Sequence, residues 1–278
     1  MKLSIITINY NNAEGLRKTL ASVDVQTYRD IEHIIIDAAS SDGSVDVIKG
    51  YADSSKHTVI WSSKKDNGIY DGMNSGIKKA TGDYVWILNS GDCAAAPDVV
   101  ERMMALLNDG KYDILIGNKV NVYDEAKKDE PKDILNSIPR AIETSMLTFY
   151  SGTVPQDAAF VRRELFEKYG YFDDKLKIVS DWKLYLNMIA LGNVNPMYVN
   201  IDVVLFDMTG ISNTNMECRN AEKRAYLEEV LPASILKDYD AYAFPIHQYL
   251  RLKKHHLWGL VFFLERVLFK LEKWHILR

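Results

Sequence analysis

The first hundred residues alternate between two hydrophobic periods. "LSIITI" (3–8) and "EHIIIDA" (32–38) are short apolar runs rich in β-branched residues, which predicts buried strands. "HTVIWSS" (57–63) and "DYVWIL" (83–88) repeat the signal. Helical spacings lie between them. Leu16, Leu20 and Val23 form a stripe over 13–26, and "SSDGS" (40–44) offers turn and capping residues before "VDVIKGYAD". "IYDGMNSGIKKATG" (69–82) reads as a helix that stops at Gly82. Strands alternating with helices predict an α/β domain, a mainly parallel sheet flanked by helices.

After about residue 110 the rhythm loosens. "YDILIGNKVNVYD" (112–124) reads as one or two strands, and "DEAKKDEPKD" (124–133) as a solvated charged loop. "FVRRELFEKYGYFDD" (160–174) predicts a helix ending at Gly170. "SDWKLYLNMIALG" (180–192) predicts another, with Ser180 or Asp181 at its start and Gly192 past its end. There is no internal repeat and no low-complexity linker.

Open α/β sheets bind ligands at the carboxyl ends of their strands. The polar residues that follow the early strands are Asn9 to Asn11, Asp37, Asp66 with Asn67, and Asn89 to Asp92. They are expected to face one crevice. No G-x-G-x-x-G follows the first strand and no Walker A sequence occurs, so neither a dinucleotide site nor a P-loop is supported.

Composition narrows the class. With 278 residues, 47% of them hydrophobic, the chain can bury a core without disulfides. A formal charge of −4 argues against general nucleic-acid binding. Cys93 and Cys218 lack metal or redox spacing and suit a reducing compartment. The apolar N-terminal stretch soon meets Asn9, Asn11 and Asn12, too early for a signal peptide, so a cytoplasmic location is expected. The adjacent pair His255-His256 would point to different faces of a helix and makes a poor zinc site.

Residues 247–278 differ from the rest. Seven Lys/Arg stand against Glu265 and Glu272, with Trp258, Phe262, Phe263, Phe269 and Trp274 among them. The apolar run 257–264 is too short to span a bilayer. A basic, aromatic-rich helix pair suits an anionic membrane surface at the inner face of the cytoplasmic membrane. Docking on the preceding domain or dimerisation is the alternative.

Four segments together carry a resemblance. "SIITINYNN", "IIIDAASSDGS", "KDNGIYDGMNSGIKKATGDYVWILNSGD" and "VSDWKLYLNMIALG" resemble the family-2 inverting glycosyltransferases of the GT-A fold, in the family's order and over roughly residues 3 to 212. The resemblance implies a nucleotide-binding sheet, a nucleoside-diphosphate sugar donor (UDP most often), a divalent Mn²⁺ or Mg²⁺ ion and a single-displacement transfer. It implies a catalytic domain over 1–212, with a nucleotide-sugar half (1–92) and an acceptor half (93–212). Residues 213–278 are then a helical C-terminal extension. The acceptor is expected to be a saccharide or a lipid-linked molecule, in surface polysaccharide or glycolipid assembly.

Residue roles follow from the matching positions. The acidic turn after the fourth strand reads Asn89-Ser90-Gly91-Asp92, so Asp92 is the expected metal ligand and Asn89 a donor contact. Relatives carry two or three acidic residues in this turn; here the diphosphate supplies the remaining oxygens. Ile8, Tyr10, Asp37, Asp66, Gly68 and Asp71 are expected on the donor side. Asp37 can also open an Asx-turn, Tyr10 can pack in the core, and Asp71 can stabilise its helix's N-terminus. The Asp of "VSDW", Asp181, matches the family base; its alternative role is an N-cap. Gln156 and Asp157 are expected on the acceptor side, where Pro155 replaces a family His. "FDMTGIS" (206–212), with Gly210 and Ser212, resembles a loop that covers the donor. Rival readings are a nucleotidyltransferase, for which "NYNNAEGLRK" is a poor phosphate loop, and a non-catalytic sugar-nucleotide scaffold.

Overall fold

A computed structural model describes residues 1–108, 110–122, 145–207, 215–254 and 257–273. The 124–133 loop, Gly210 with Ser212, and His255-His256 lie outside the described residues. The chain divides into two compact units, Met1–Tyr226 and Leu227–Arg278.

The first unit is built on one eight-stranded sheet. Its early elements are β1 (Leu3–Asn9), α1 (Ala13–Asp24), β2 (Ile31–Asp37), α2 (Ser44–Ser54), β3 (Thr58–Ser63), α3 (Ile69–Lys79) and β4 (Tyr84–Ile87). Then follow β5 (Cys93–Ala94), α4 (Val99–Leu107), β6 (Ile114–Val122), α5 (Met146–Ser151), a 3₁₀ turn (Gln156–Ala158), β7 (Ala159–Arg162) and α6 (Glu164–Tyr169). The unit closes with α7 (Ser180–Tyr185), a π-helical turn (Leu186–Leu191), β8 (Met197–Asp207) and most of α8 (Met216–Val230). The second unit holds α9 (Ala233–Lys254) and α10 (Trp258–Lys273).

The strand order is β3-β2-β1-β4-β7-β6-β8-β5. β1 to β4, β6 and β8 run one way; only β7 and β5 oppose them. The sheet is thus mixed, with the parallel half at its N-terminal side. Every residue of β1 and β2 is buried, as strands covered on both faces require. Side chains alternate across β1. Leu3 and Ile5 join Trp86, Phe160 and Met103 in one core cluster, while Ile6 and Ile8 face Gly76 and Gly72 of α3 on the other side.

Three expectations change. The predicted helix 160–174 begins as strand β7, because Phe160 and Val161 are buried between β4 and β6 and Phe160 stacks on Trp86 at 5.1 Å. Sheet pairing outweighs a helical charge pattern there. The helix expected over 180–192 is one α-helical turn continued as a π-helix, and Val179 is its N-cap, so neither Ser180 nor Asp181 caps it. The helix expected to reach Gly82 stops at Lys79, because the Thr81 and Gly82 N–H groups turn to the Glu32 carboxylate. β8 has no counterpart among the sequence expectations. It pairs with β6 across a register shift near Gly117 and Asn118.

Glu32 fastens the sheet at the edge away from the strand ends. Its carboxylate, 1% exposed, meets Lys2 at 2.5 Å and accepts from Ser4, Thr81 and Gly82. Burial alone would raise its pKa, yet the hydrogen bonds from Lys2, Ser4 and Thr81 outweigh it and hold the group at about 2. A depressed folded-state pKa gives stability that is complete above the unfolded value and lost as pH falls through the folded one. Glu32→Gln should therefore cost about 3 kcal/mol at pH 7. The gap to the parent should narrow below the ordinary value of 4.5. Urea unfolding at pH 7 and at stepped acid pH checks this; a pH-independent gap would contradict it.

Candidate active site

Strand direction gathers the candidate residues. Asn9, Asp37 and Ser63 end β1, β2 and β3 side by side. β5 and β7 run against the others, so each begins where the others end. Asp92 precedes β5, Gln156 and Asp157 precede β7, and Asp207 closes β8. One edge of the sheet therefore carries residues from six segments.

The β4–β5 turn is rigidly mounted on α1. Asn12 caps α1 through Oδ1, accepting from the Gly15 N–H, and its Nδ2 donates to the Ser90 carbonyl. The Thr19 hydroxyl accepts from the Gly91 N–H and lies 2.7 Å from the Asp92 carbonyl oxygen. Gly91 has φ +107°, a backbone state that side chains other than hydrogen rarely allow. Its Cβ position lies 3.4 Å from Asp207 Oδ2, so the turn and the end of β8 are pressed together.

Asp92 is 4% exposed and Oδ1 accepts the Asp207 backbone N–H at 2.9 Å. Burial, aided by the charges of Asp157 and Asp207 and opposed by that hydrogen bond and Lys119, pushes its pKa up to about 7. Lys119, on β6, pairs with Asp157 Oδ2 at 3.1 Å and lies 3.9 Å over the Phe206 ring. Among the described residues, no three His, Cys, Asp or Glu side chains converge closely enough to hold a metal by themselves. The buried Oδ1 atoms of Asn89 and Asp157 have no hydrogen-bond partner. The donor set is thus hard oxygen, with Asp92 the buried carboxylate at its centre. It fits a Mg²⁺ or Mn²⁺ ion that takes few ligands from protein and the rest from phosphate and water.

On the β1–β3 side, Asp37 is fully buried. It accepts from Asn9 Nδ2 (2.8 Å), the Ser40 N–H (3.0 Å), the Ser40 hydroxyl (2.5 Å) and the Ser63 hydroxyl (2.6 Å). Burial would raise its pKa, and those bonds lower it below the usual range. The carboxylate is saturated, so it orders the loops over the strand ends. Asn11 and Asp42 complete that lacing, taking the Ser41 and Ala13 N–H groups. Tyr10 is 67% exposed, so it is free of the core. Ile8 and Asp66 both meet α3 at Gly72, each 3.3 Å from its Cβ position. Gly68, at φ +122°, starts α3 in a conformation that favours glycine. Asp66 Oδ1 accepts the Gly68 N–H, and Asp71 reaches back to the Asn67 N–H, which secures the helix start.

Asp181 occupies the first turn of α7. Burial, followed in strength among raising influences by Asp157, pushes its pKa up; Lys223 and Lys119 oppose. The preceding segment is clamped from two sides. Glu222 of α8 accepts the backbone N–H groups of Lys177, Ile178 and Val179, and the Tyr70 hydroxyl donates to the Ile178 carbonyl at 2.6 Å. Trp182, next to Asp181, is anchored by Nε1 on the Phe149 carbonyl. Gln156 Nε2 and Ser180 Oγ are buried without partners on the same side. Asp157 lies electrostatically between Asp92 and Asp181, since it raises the pKa of both.

Thr19, Lys119, Asp207 and Glu222 are site residues the sequence reading missed. Thr19 sits in a helical stripe and resembles ordinary core. Lys119 and Asp207 lie on strands whose pairing depends on an irregular register, and Glu222 acts across 45 residues. No local motif marks them.

Comparison with known proteins decides the class. The model of the family "Glycosyl transferase family 2" matches residues 4–170, more than half of the chain. The chain is a family-2 glycosyltransferase. An uncharacterized glycosyltransferase of Mycobacterium tuberculosis is 33% identical over 224 residues, covering 76% of this chain and 77% of its own length. A PGL/p-HBAD biosynthesis glycosyltransferase of Mycobacterium bovis is 26% identical over 216 residues, covering 76% and 79%. Among solved structures, S. aureus TarS 1-349 in complex with UDP-GlcNAc aligns with a TM-score of 0.60 at 19% identity, over 76% of this chain and 59% of that one. This chain thus spans less than two thirds of that TarS chain. The mannosyltransferase PcManGT from Pyrobaculum calidifontis, in complex with GDP-Man and Mn²⁺, aligns with a TM-score of 0.59 at 16% identity, over 94% and 86%. These likenesses establish the fold, the GT-A type, as expected.

Proposed function

We propose that this glycosyltransferase moves a sugar from a nucleoside-diphosphate sugar, with UDP the foremost candidate, to an acceptor hydroxyl with inversion at the anomeric carbon. The observation that carries the reading is Asp157, which precedes β7 at the sheet edge and whose charge acts both on Asp92, before β5, and on Asp181, in the first turn of α7. The ligands of the structural neighbours, UDP-GlcNAc and GDP-Man, support a donor of this class. The nucleotide side is formed by Tyr10, Asp66, Gly68 and the loops that Asp37 orders, with Ile8 and Asp71 behind them and Asn89 at the turn. Asp92 would hold a Mn²⁺ or Mg²⁺ ion. Such an ion, when bound, neutralises charge on the departing diphosphate.

Asp181 acts as the base. The acceptor oxygen attacks the anomeric carbon, the bond from that carbon to the phosphate oxygen breaks, and the hydroxyl proton passes to the Asp181 carboxylate. Burial raises the carboxylate's proton affinity, which suits a base, while the Glu222 and Tyr70 clamps fix its direction. Gln156 and Asp157 face the acceptor. The catalytic domain is 1–212 and the helical extension 213–278. The setting we favour is polysaccharide or glycolipid assembly at the inner face of the cytoplasmic membrane.

That setting draws support from the second unit. α10 exposes Leu260, Phe263, Val267, Leu268 and Phe269 together with Arg266 and Lys270. A helix that leaves this much apolar surface open, with cations among it, suits an anionic interface. Among the described residues no helix is long and apolar enough to cross a membrane.

Two outcomes test these assignments. Asp181→Asn should lower turnover about 10³-fold while sparing donor affinity, because it removes a general base and no donor contact. Retained turnover would refute the base. The full chain should sediment with phosphatidylglycerol vesicles and not with phosphatidylcholine vesicles, and Phe263→Glu with Phe269→Glu should abolish it. Equal sedimentation of parent and variant would overturn the membrane reading.

A further inference from the structure

α8 carries two cations one helical turn apart, Arg219 and Lys223, which share a face. Lys223 stands beside the base. Its ammonium donates to the Gly152 carbonyl at 2.8 Å and lies 5.0 Å over the ring of Trp182, the residue after Asp181. The Arg219 Nε is buried and, among the described residues, has no hydrogen-bond partner. Among the described residues neither cation is in a direct ion pair: Glu222, on the same helix, is engaged by three backbone N–H groups, and Asp181 is the carboxylate that acts on Lys223.

Two partly buried cations side by side are unfavourable unless an anion joins them. The Lys223 amine registers this: burial first, then the charge of Arg219, lower its pKa to about 8, with Asp181 opposing. The uncompensated charge lies on the Asp181 side of the cleft. Lys223 and Asp181 act on each other, which sets the cations beside the proposed base. The donor's diphosphate belongs to the Asp92 side, so the anion that answers Arg219 and Lys223 comes with the acceptor.

We propose that Arg219 and Lys223 form a subsite for a phosphoryl group carried by the acceptor, adjacent to the hydroxyl that Asp181 deprotonates. A guanidinium fork and an ammonium point charge together match a tetrahedral oxyanion with several acceptor oxygens. The phosphoryl group has two possible sources, a lipid-linked phosphate or a phosphate on a soluble glycan. This inference rests on assigning Asp181 to the acceptor side.

The test uses the full chain saturated with UDP and Mn²⁺, so that the donor side is filled. Inorganic phosphate, glucose 1-phosphate and hexyl phosphate are titrated at constant ionic strength by calorimetry. Saturable phosphate binding is expected, weakened about tenfold in Lys223→Gln and in Arg219→Gln, with UDP affinity unchanged in both. Arg219→Lys, which keeps the charge and loses the fork, should fall between. Tighter binding of hexyl phosphate than of glucose 1-phosphate supports the lipid source, and the reverse order supports the glycan source. Phosphate binding no better than chloride, or undiminished in both variants, would overturn the subsite. Loss of UDP affinity in either variant would overturn it too, by assigning the cations to the donor. The readout needs no turnover, so failure here is distinct from active Asp181→Asn, which would refute the base instead.

Discussion

A carboxylate taken out of water must be compensated or it takes up a proton. Asp92 meets that demand only in part at the seam where β5 pairs with β8: it accepts one backbone N–H from Asp207, and burial still pushes its pKa up to about 7. The seam exists because β5 runs against the strand beside it, which brings the residue before its first position to the edge where β8 ends. Thr19 and Asn12 then hold the turn from the α1 side, and Gly91 lets it approach Asp207. The placement of Asp157, Lys119 and finally Asp181 follows from the same edge. Removing the reversal of β5 and β7 would scatter these groups to opposite ends of the sheet.

The cleft is electrically graded. At one end stand Asp92 and Asp207, which suit a cation and the diphosphate it would neutralise. Asp157 is tied to Lys119 and presses on both Asp92 and Asp181. At the other end Asp181 lies in the field of Lys223 of α8. In the proposed transfer an uncharged hydroxyl loses its proton near that end, and the leaving diphosphate is stabilised at the first. The distribution of charge thus matches the direction in which charge moves during transfer. Glu222 adds rigidity, since three N–H groups fix one carboxylate far better than one would.

The parallel half of the fold was legible because it is built from local signals. β1 and β2 are short runs rich in isoleucine, and Asn9, Asp37 and the turn that holds Asp92 sit where the polar residues begin. The antiparallel half was not. β7 hides inside "FVRRELFEKY", where helix-forming charges surround Phe160 and Val161, whose pairing with β4 and β6 is non-local. β8 pairs with β6 across a shifted register that no alternation announces. For the site, Asp92, Asp157 and Asp181 could be read from segments in family order, whereas Lys119, Asp207 and Glu222 act through pairings 38 to 115 residues away in the chain. Asp37 was legible as important, yet its saturation by Asn9, Ser40 and Ser63 needed coordinates.

On the reading proposed above, Asp92 serves a metal-bound nucleoside diphosphate. The most direct measurement is thermal unfolding with a panel of nucleoside diphosphates, each with and without Mn²⁺, since a ligand that binds the native state raises its stability by mass action. One diphosphate should stabilise the protein only when Mn²⁺ is present, and Asp92→Asn should remove the shift. Stabilisation independent of Mn²⁺ would contradict the metal role of Asp92, and no shift with any diphosphate would contradict the donor site itself.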